Sequence, residues 1–279
     1  MKKIIVAIDG LKFSVSAVQY AVQLTKEANG HLVGIFLEDF SYHSYSIYNM
    51  AVNNGPIEVN FDRLADEDKS TREHSVNHFK EICRMSAINH SIHRVENFPL
   101  PQLLHESIYA DVLVIDKKET LTRFQQDVPS DFIRQLLINA ECPVVVVPSN
   151  FDLIEKVLLL YDGEPSSVYA VKQFSYLFPN LKSLPTEVLS VKEENENLHL
   201  PDNRLMKEFM KRHYPDATYK VLTGDPEKEI VHYLKNRHQN ELVILGAYRR
   251  NTVSRWFKTS MADELMQQLK TPLFIAHTK

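Results

Sequence analysis

The sequence predicts an α/β protein built from two domains in tandem, each an open parallel sheet with helices on its faces. Short, nearly continuous apolar runs indicate strands that are buried on both sides of a sheet. These runs alternate with helix-like patterns over short distances, which is typical of a parallel sheet. The whole series also occurs twice within 279 residues, roughly twice the usual length of one domain.

Each copy begins with a strand that ends in Asp-Gly. The segment KKIIVAIDG (Lys2–Gly10) returns as EKVLLLYDG (Glu155–Gly163). A serine follows each aspartate by five residues, at Ser14 and Ser167, and helical patterning is expected after each serine.

Each copy also ends with two matching strands. DVLVID (Asp111–Asp116) corresponds to ELVILG (Glu241–Gly246), and ECPVVVVPS (Glu141–Ser149) corresponds to KTPLFIAHT (Lys270–Thr278). The sequence therefore predicts one domain over residues 1–149 and a second over residues 155–279, joined by a short linker.

The first domain is the longer one because of an insertion over residues 38–60. This insertion carries Tyr42, Tyr45 and Tyr48 at three-residue spacing. One interpretation is a lid or a loop that binds a protein partner. The other is a surface excursion whose aromatic rings pack onto the domain.

Composition excludes several classes of protein. No two of the seven glycines lie closer than four residues apart, which excludes a complete Walker loop and a G-x-G-x-x-G fingerprint. The net charge of −4 gives no reason to expect a nucleic-acid partner, and no apolar run is long enough to span a membrane. Two cysteines cannot form a disulfide framework. We expect a cytoplasmic protein.

Ligands of open parallel sheets bind beyond the carboxyl ends of the strands. Asp9 and Asp162 stand at the end of the first strand of each copy, and Asp116 and Gly246 end the fourth. If these strands are neighbours, each copy has a crevice between an aspartate and the loop after strand four.

Together, these motifs resemble those of the universal stress protein family. The resemblance rests on VAIDG, DVLVID and CPVVVVP in the first copy and on GDPEKEIVHYLKN and ELVILGAYRR in the second, and it covers nearly the whole chain. It implies a tandem universal stress protein with two Rossmann-like (adenine nucleotide alpha hydrolase-like) domains. Such a protein would act as a regulatory or binding module in the stress response.

The resemblance also implies where ATP would bind. ATP-binding members of the family carry G-x2-G-x9-G-[S/T] after strand four, and an aspartate at the end of strand one contacts the base. In the second copy Gly246 and Ser260 match this motif, Arg249 and Thr259 replace glycines, and Asp162 is the matching aspartate.

The first copy departs further from the motif. Asp116, Glu119 and Pro129 stand where glycines are expected, Ser130 matches, and Asp9 is the matching aspartate. The loop charges differ as well. Residues 116–130 sum to zero, whereas residues 246–260 sum to +4 through four cations, which are Arg249, Arg250, Arg255 and Lys258. We therefore expect ATP or another anion to bind only in the second domain.

Each candidate residue also has a purely structural interpretation. Ser260 and Asp263 form an S-x-x-D capping box at the start of a helix. Asp9 and Asp162 can simply form turns ahead of the glycines that follow them. The cations of the second loop can be a solvated surface. Asp225 followed by Pro226 predicts an N-cap and the first residue of a helix, without chemistry.

The sequence gives less support to three other functions. A scaffold that binds no nucleotide is the alternative to a nucleotide-binding module. No G-x-S-x-G motif for a serine nucleophile is present. A weak ATPase ranks third, because ATP hydrolysis needs a positioned metal, a base and a phosphate-binding group together, and the sequence gives poor evidence for such a set. His74 and His78 are four residues apart, but their polar neighbours favour a solvated helix face, and no metal site is expected.

The last strand of each copy is an apolar edge that needs a partner. The family resemblance implies that Val144–Val147 and Leu273–Ala276 pair with each other, so that one chain is a pseudo-dimer.

Overall fold

The computed structural model describes residues 1–38, 61–96, 98–122, 126–192, 198–237, 240–247 and 259–276. The strands of these residues are β1 Lys3–Asp9, β2 His31–Glu38, β3 His90–Glu96, β4 Val112–Asp116, β5 Val144–Val147, β6 Lys156–Leu160, β7 Thr186–Lys192, β8 Thr218–Thr223, β9 Glu241–Gly246 and β10 Leu273–Ala276. The α-helices are α1 Val15–Ala28, α2 Phe61–Met85, α3 Pro99–Ile108, α4 Asp131–Asn139, α5 Pro165–Leu177, α6 Asn203–His213, α7 Pro226–Lys235 and α8 Thr259–Gln268. A 3₁₀ helix covers Pro179–Ser183.

The described strands form one ten-stranded sheet with the order β3-β2-β1-β4-β5-β10-β9-β6-β7-β8. Every neighbouring pair is parallel except β5 and β10. The first half, β1–β5, and the second half, β6–β10, therefore have the same internal order. The α/β class with parallel, Rossmann-like sheets is confirmed.

The two halves meet where β5 pairs with β10 in antiparallel orientation. Phe274 lies opposite Val145, with Leu273 opposite Val146 and Ile275 opposite Val144. All of these side chains are buried. The backbone hydrogen bonds of both terminal strands are thereby satisfied, which leaves neither strand as an open edge.

One apolar core covers each face of the sheet, and each core draws on both halves. The first lies beneath α1, α2, α5 and α6, and the second lies beneath α3, α4, α7 and α8. In the first core, Phe274 packs edge-on against Phe174 of α5 with ring centroids 5.3 Å apart. Hydrophobic burial is therefore shared between the halves.

The helices after the first strand of each half begin differently. Ser14 is the N-cap of α1, as its position in the repeat predicts. The matching expectation for Ser167 is wrong, since α5 begins at Pro165 with Glu164 as its N-cap. Proline fits the first position of a helix because its missing amide hydrogen has no partner there. The second half therefore starts this helix closer to its strand.

Asp225 caps α7, as predicted. Its Oδ1 accepts a hydrogen bond from the amide of Lys228 at 3.0 Å, and Pro226 is the first helical residue. Among the helices of the described residues, none combines the length and the apolarity needed to cross a membrane.

Candidate functional site

The predicted crevices lie at the carboxyl ends of adjacent strands. β1 pairs with β4 in the first half, and β6 pairs with β9 in the second. Asp9, Asp116 and Gly246 are the last residues of their strands, and Asp162 lies two residues beyond β6. The strand order thus brings Asp9 and Asp116 to one edge of the sheet and Asp162 and Gly246 to the corresponding place in the second half.

The three aspartates each form a local turn. Asp9, Asp116 and Asp162 each accept a hydrogen bond through Oδ1 from the backbone amide two residues later, at 2.8, 2.9 and 2.9 Å. Turn formation is the structural alternative that the sequence predicts for Asp9 and Asp162. It occupies one carboxylate oxygen of each residue.

Asp116 ties the end of β4 to the start of α1. Ser14 donates from Oγ to Asp116 Oδ2 at 2.7 Å and accepts from the amide of Ala17 at 3.2 Å. The carboxylate therefore contacts the positive end of the α1 dipole through the capping serine.

The loop after β4 folds into the first-half crevice. Glu119 Oε1 accepts hydrogen bonds from the amides of Thr120 and Leu121, both at 2.9 Å. The carbonyl of Glu119 accepts a 2.5 Å hydrogen bond from Ser130, which also caps α4. Glu119 is only 7% exposed. Glu119, Thr120 and Leu121 are thus buried where a ligand would bind, and amides of the same loop bind the Glu119 carboxylate.

Lys12 connects this loop to β1. Its Nζ lies 4.0 Å from Asp9 Oδ2 and donates to the carbonyl of Thr122 at 2.5 Å. Burial raises the pKa of Asp9, because its carboxyl is 2% exposed. Burial, together with the charge of Asp9, raises the pKa of Glu119 to about 7. The crevice therefore disfavours a second negative charge.

The sequence did not single out two residues of this crevice, Lys12 and Arg72. Arg72 comes from α2 and lies near Asp9, with its Nε 4.0 Å from Glu38 Oε2 at the end of β2. Lys12 could have been found from its position three residues after Asp9. No local pattern places Arg72 at the crevice, because α2 is more than fifty residues away in the chain.

Gly246 has a packing role in the second half. A Cβ at this position would lie 2.3 Å from both the carbonyl carbon and the carbonyl oxygen of Ser166, and 2.7 Å from the nitrogen of Ser167. The first turn of α5 therefore runs directly against the end of β9. Asp116, at the corresponding place in the first half, instead has room for a side chain because α1 begins further from its strand.

The turn after β6 is also closely packed. Gly163 has a φ of +87°, and a Cβ there would lie 2.6 Å from Cβ of Pro201. Tyr161 donates from its hydroxyl to the carbonyl of Pro201 at 3.1 Å. The segment after β7 thus covers the Asp162–Gly163 turn from one side.

Several predicted site residues lie outside the described part of the chain or at its boundary. Arg249 and Arg250, and Tyr42, Tyr45 and Tyr48, lie outside the described residues. Thr259 and Ser260 are the first two residues of α8, so Ser260 lies inside the helix and not just before it as the capping box predicts. Asp263 forms an ion pair with Arg134 of α4 at 3.1 Å.

The histidine pair belongs to a ring cluster. His78 stacks on Phe13 with centroids 4.9 Å apart, and the rings of His74 and His78 are 6.4 Å apart. Within the described residues, no group of three or more His, Cys, Asp and Glu side chains could hold a metal ion.

Comparisons with known proteins agree with the family resemblance. No protein-family model matches the sequence. A universal stress protein of Synechocystis is 21% identical over 98% of this chain and 99% of its own length. The crystal structure of a universal stress protein from Archaeoglobus fulgidus superposes with a TM-score of 0.70 at 14% identity, covering 99% of this chain and 98% of the other.

A third comparison shows the same fold. A candidate universal stress protein from Pseudomonas aeruginosa superposes with a TM-score of 0.60 at 14% identity, covering 99% of this chain and 93% of the other. The predicted resemblance to the universal stress protein family is therefore confirmed, and it extends over nearly the whole chain.

Proposed function

We propose that this chain is a cytoplasmic tandem universal stress protein whose second half binds ATP or a related phosphate-bearing anion and whose first half does not. The main observation for this difference in ATP binding between the halves is that Glu119 is buried in the first-half crevice. Its carboxylate and its loop occupy the space after β4, and Asp9 is buried beside it. A phosphate group would meet two carboxyl groups there, which opposes binding.

The positive charge of the second half favours the binding of an anion. Its loop after β9 carries Arg249, Arg250, Arg255 and Lys258 and no acid, and the helix α8 follows immediately. Arginine forms paired hydrogen bonds with phosphate oxygens, and a helix start adds a positive field. In this proposal Asp162 contacts the non-phosphate part of the ligand, with Gly246, Thr259 and Ser260 beside the phosphates.

Titration of ATP into the full-length protein tests the proposal. Arg249→Ala should weaken binding about tenfold or more, because a hydrogen bond to a charged group contributes roughly 1.5–3 kcal/mol. Asp162→Asn should also weaken binding. Asp9→Asn is the matched control in the first half and should leave the affinity unchanged. Loss of affinity in Asp9→Asn with none in Asp162→Asn would contradict the proposal.

A scaffold that binds no nucleotide is the second candidate. The close packing of Gly246 against Ser166 and of Gly163 against Pro201 favours it. Each glycine is explained by this packing alone, so neither requires a nucleotide. In that case the insertion that carries Tyr42, Tyr45 and Tyr48 would bind the protein partner. Native mass spectrometry of the freshly purified protein separates the two candidates. A co-purified adenine nucleotide supports the nucleotide-binding protein. A protein that carries no nucleotide and does not bind added ATP supports the scaffold.

A further inference from the structure

The outer side of α3 is largely apolar although it faces solvent. Phe98 is 75% exposed, Ile108 55% and Tyr109 67%. Pro101 and His105 are exposed between them. These five residues recur every three or four positions, so they lie along one side of the helix and its two caps. We call them the α3 stripe.

The opposite side of α3 attaches the helix to the sheet. Leu103 and Ser107 are buried there. Leu100 and Leu104 are partly buried and pack against the second core. The residues of the α3 stripe are therefore not the ones that hold the helix on the domain.

The backbone of Phe98 is strained. Phe98 is the N-cap of α3, where it has a φ of +52° and makes no side-chain hydrogen bond to the helix. This left-handed conformation is unfavourable for residues with a Cβ, and asparagine and aspartate tolerate it best. Backbone preference, helix capping and burial all fail to explain a phenylalanine here. An exposed ring on a strained backbone indicates a binding surface.

The second half provides an internal comparison. α7 follows β8 as α3 follows β3, and each helix begins with a proline. The α7 residues at the positions of the α3 stripe are also exposed, but they are polar or charged, namely Asp225, Lys228, His232, Lys235 and Asn236. The repeated fold therefore does not require an apolar outer side, and the stripe is a property of the first half.

The charges near the α3 stripe favour a second copy of this chain as the partner. Glu106 is the one charged residue in the sequence from 98 to 110, and it binds Lys3 and His93 through hydrogen bonds of 2.9 and 2.7 Å. A two-fold interface places the same surface of both copies face to face. Two α3 stripes can meet in this way without bringing like charges together.

The exposed area indicates how strong such a contact is. A buried aromatic side chain covers about 150–250 Å², so the exposed parts of Phe98 and Tyr109 together amount to roughly 200–350 Å². Two copies double this area, and Ile108, Pro101 and His105 add to it. The total approaches the lower limit of about 1,200 Å² for stable complexes. An interface of this size fits an association in the micromolar range.

We propose that two copies of this chain associate through the α3 stripe, with the two helices antiparallel across a two-fold axis. Phe98 of each copy then packs against Tyr109 of the other, and His105 lies near the axis. The rings of His105 and Tyr109 already contact each other within one chain, with centroids 5.6 Å apart, so that less freedom is lost on binding. This association is independent of nucleotide binding.

Sedimentation velocity of the full-length protein from about 1 to 300 μM tests the association. The wild type should show a monomer–dimer equilibrium. Phe98→Asp and Ile108→Lys introduce the residues that α7 carries at these positions, and each should weaken the dimer about tenfold or more. Leu205→Lys changes a similarly exposed apolar residue of α6 and should leave the dimer unchanged.

Three results of this experiment would overturn the proposal. A wild type that stays monomeric at every concentration would leave the α3 stripe to a different protein. A dimer of unchanged affinity in both stripe variants would place the interface elsewhere. An equal loss in Leu205→Lys would show that exposed apolar residues cause association without a specific surface.

Cross-linking locates the interface. Cys83 and Cys142 are buried, so a newly introduced exposed cysteine reacts selectively. A short bis-maleimide should join His105→Cys to its counterpart in the second copy, because the axes of packed helices lie about 8–10 Å apart. His232→Cys is the matched control at the corresponding position of α7 and should remain a single chain. Equal cross-linking of both variants, or of His232→Cys alone, would contradict the proposed arrangement.

Discussion

A methyl group on Gly246 would lie 2.3 Å from the carbonyl carbon of Ser166. The contact joins the end of β9 to the first turn of α5. Gly246 is also the one glycine that the sequence retains in the family's nucleotide loop. Its retention therefore has a sufficient reason in helix packing, independent of any ligand.

Gly246→Ala should destabilise the protein because the atoms in the way belong to the backbone and cannot rotate aside. We expect a loss of about 1–3 kcal/mol or more in the free energy of unfolding, measured by urea denaturation. Gly10→Ala is the matched control, because its added Cβ would meet the flexible side chain of Arg72 at 3.1 Å. A smaller loss is expected there, and equal losses would contradict the packing explanation.

Lys2 joins the first half to the end of α5. Its Nζ donates to the carbonyl of Tyr176 at 2.7 Å and also to that of Leu177. Lys2→Met should lower the free energy of unfolding by about 1–2 kcal/mol, since two helix-end carbonyls lose a charged donor. The exposed Lys172 on the same helix provides the control, and Lys172→Met should change stability little. A Lys2→Met protein as stable as the wild type would show that these bonds contribute nothing.

The architecture could be predicted because its evidence is local. A strand buried on both faces requires an apolar run, and all the predicted runs, such as Val157–Leu160, lie in strands. The cap formed by Asp225 was predictable for the same reason, since a short side chain bonds an amide three residues away.

The contents of the first crevice could not be predicted in this way. Arg72 reaches Asp9 through the packing of α2, and Lys117 reaches α8 across the junction of the halves. Such contacts depend on the assembled sheet. The early start of α5 differs from the prediction for another reason. The repeat indicates a helix after Ser167, but Pro165 is the stronger local signal for a helix start.

Phe274 lies in a core that both halves share, with the rings of Phe174 and Phe178 against it and Val145 opposite it on the neighbouring strand. Phe274→Ala should cost about 3–5 kcal/mol, because it leaves a cavity in a fully buried region. We expect circular dichroism to show one cooperative unfolding transition in both proteins, shifted as a whole in the variant. Two separate transitions in the wild type would show that the halves unfold independently.

Glu106 makes the stability of the protein depend on pH. Partial burial alone would raise its pKa, but hydrogen bonds from Lys3 at 2.9 Å and His93 at 2.7 Å outweigh burial and lower the pKa. A carboxyl group with a lowered pKa contributes stability above its ordinary value, and this contribution disappears as the pH falls through the folded-state value. Glu106→Gln should therefore be less stable than the wild type at pH 7, and the difference should shrink below about pH 4.5. Urea denaturation at pH 7, 5 and 3.5 measures this trend, with the exposed Asp131→Asn as control. A difference that stays constant over this range would mean that the ion pair adds nothing beyond what the amide supplies.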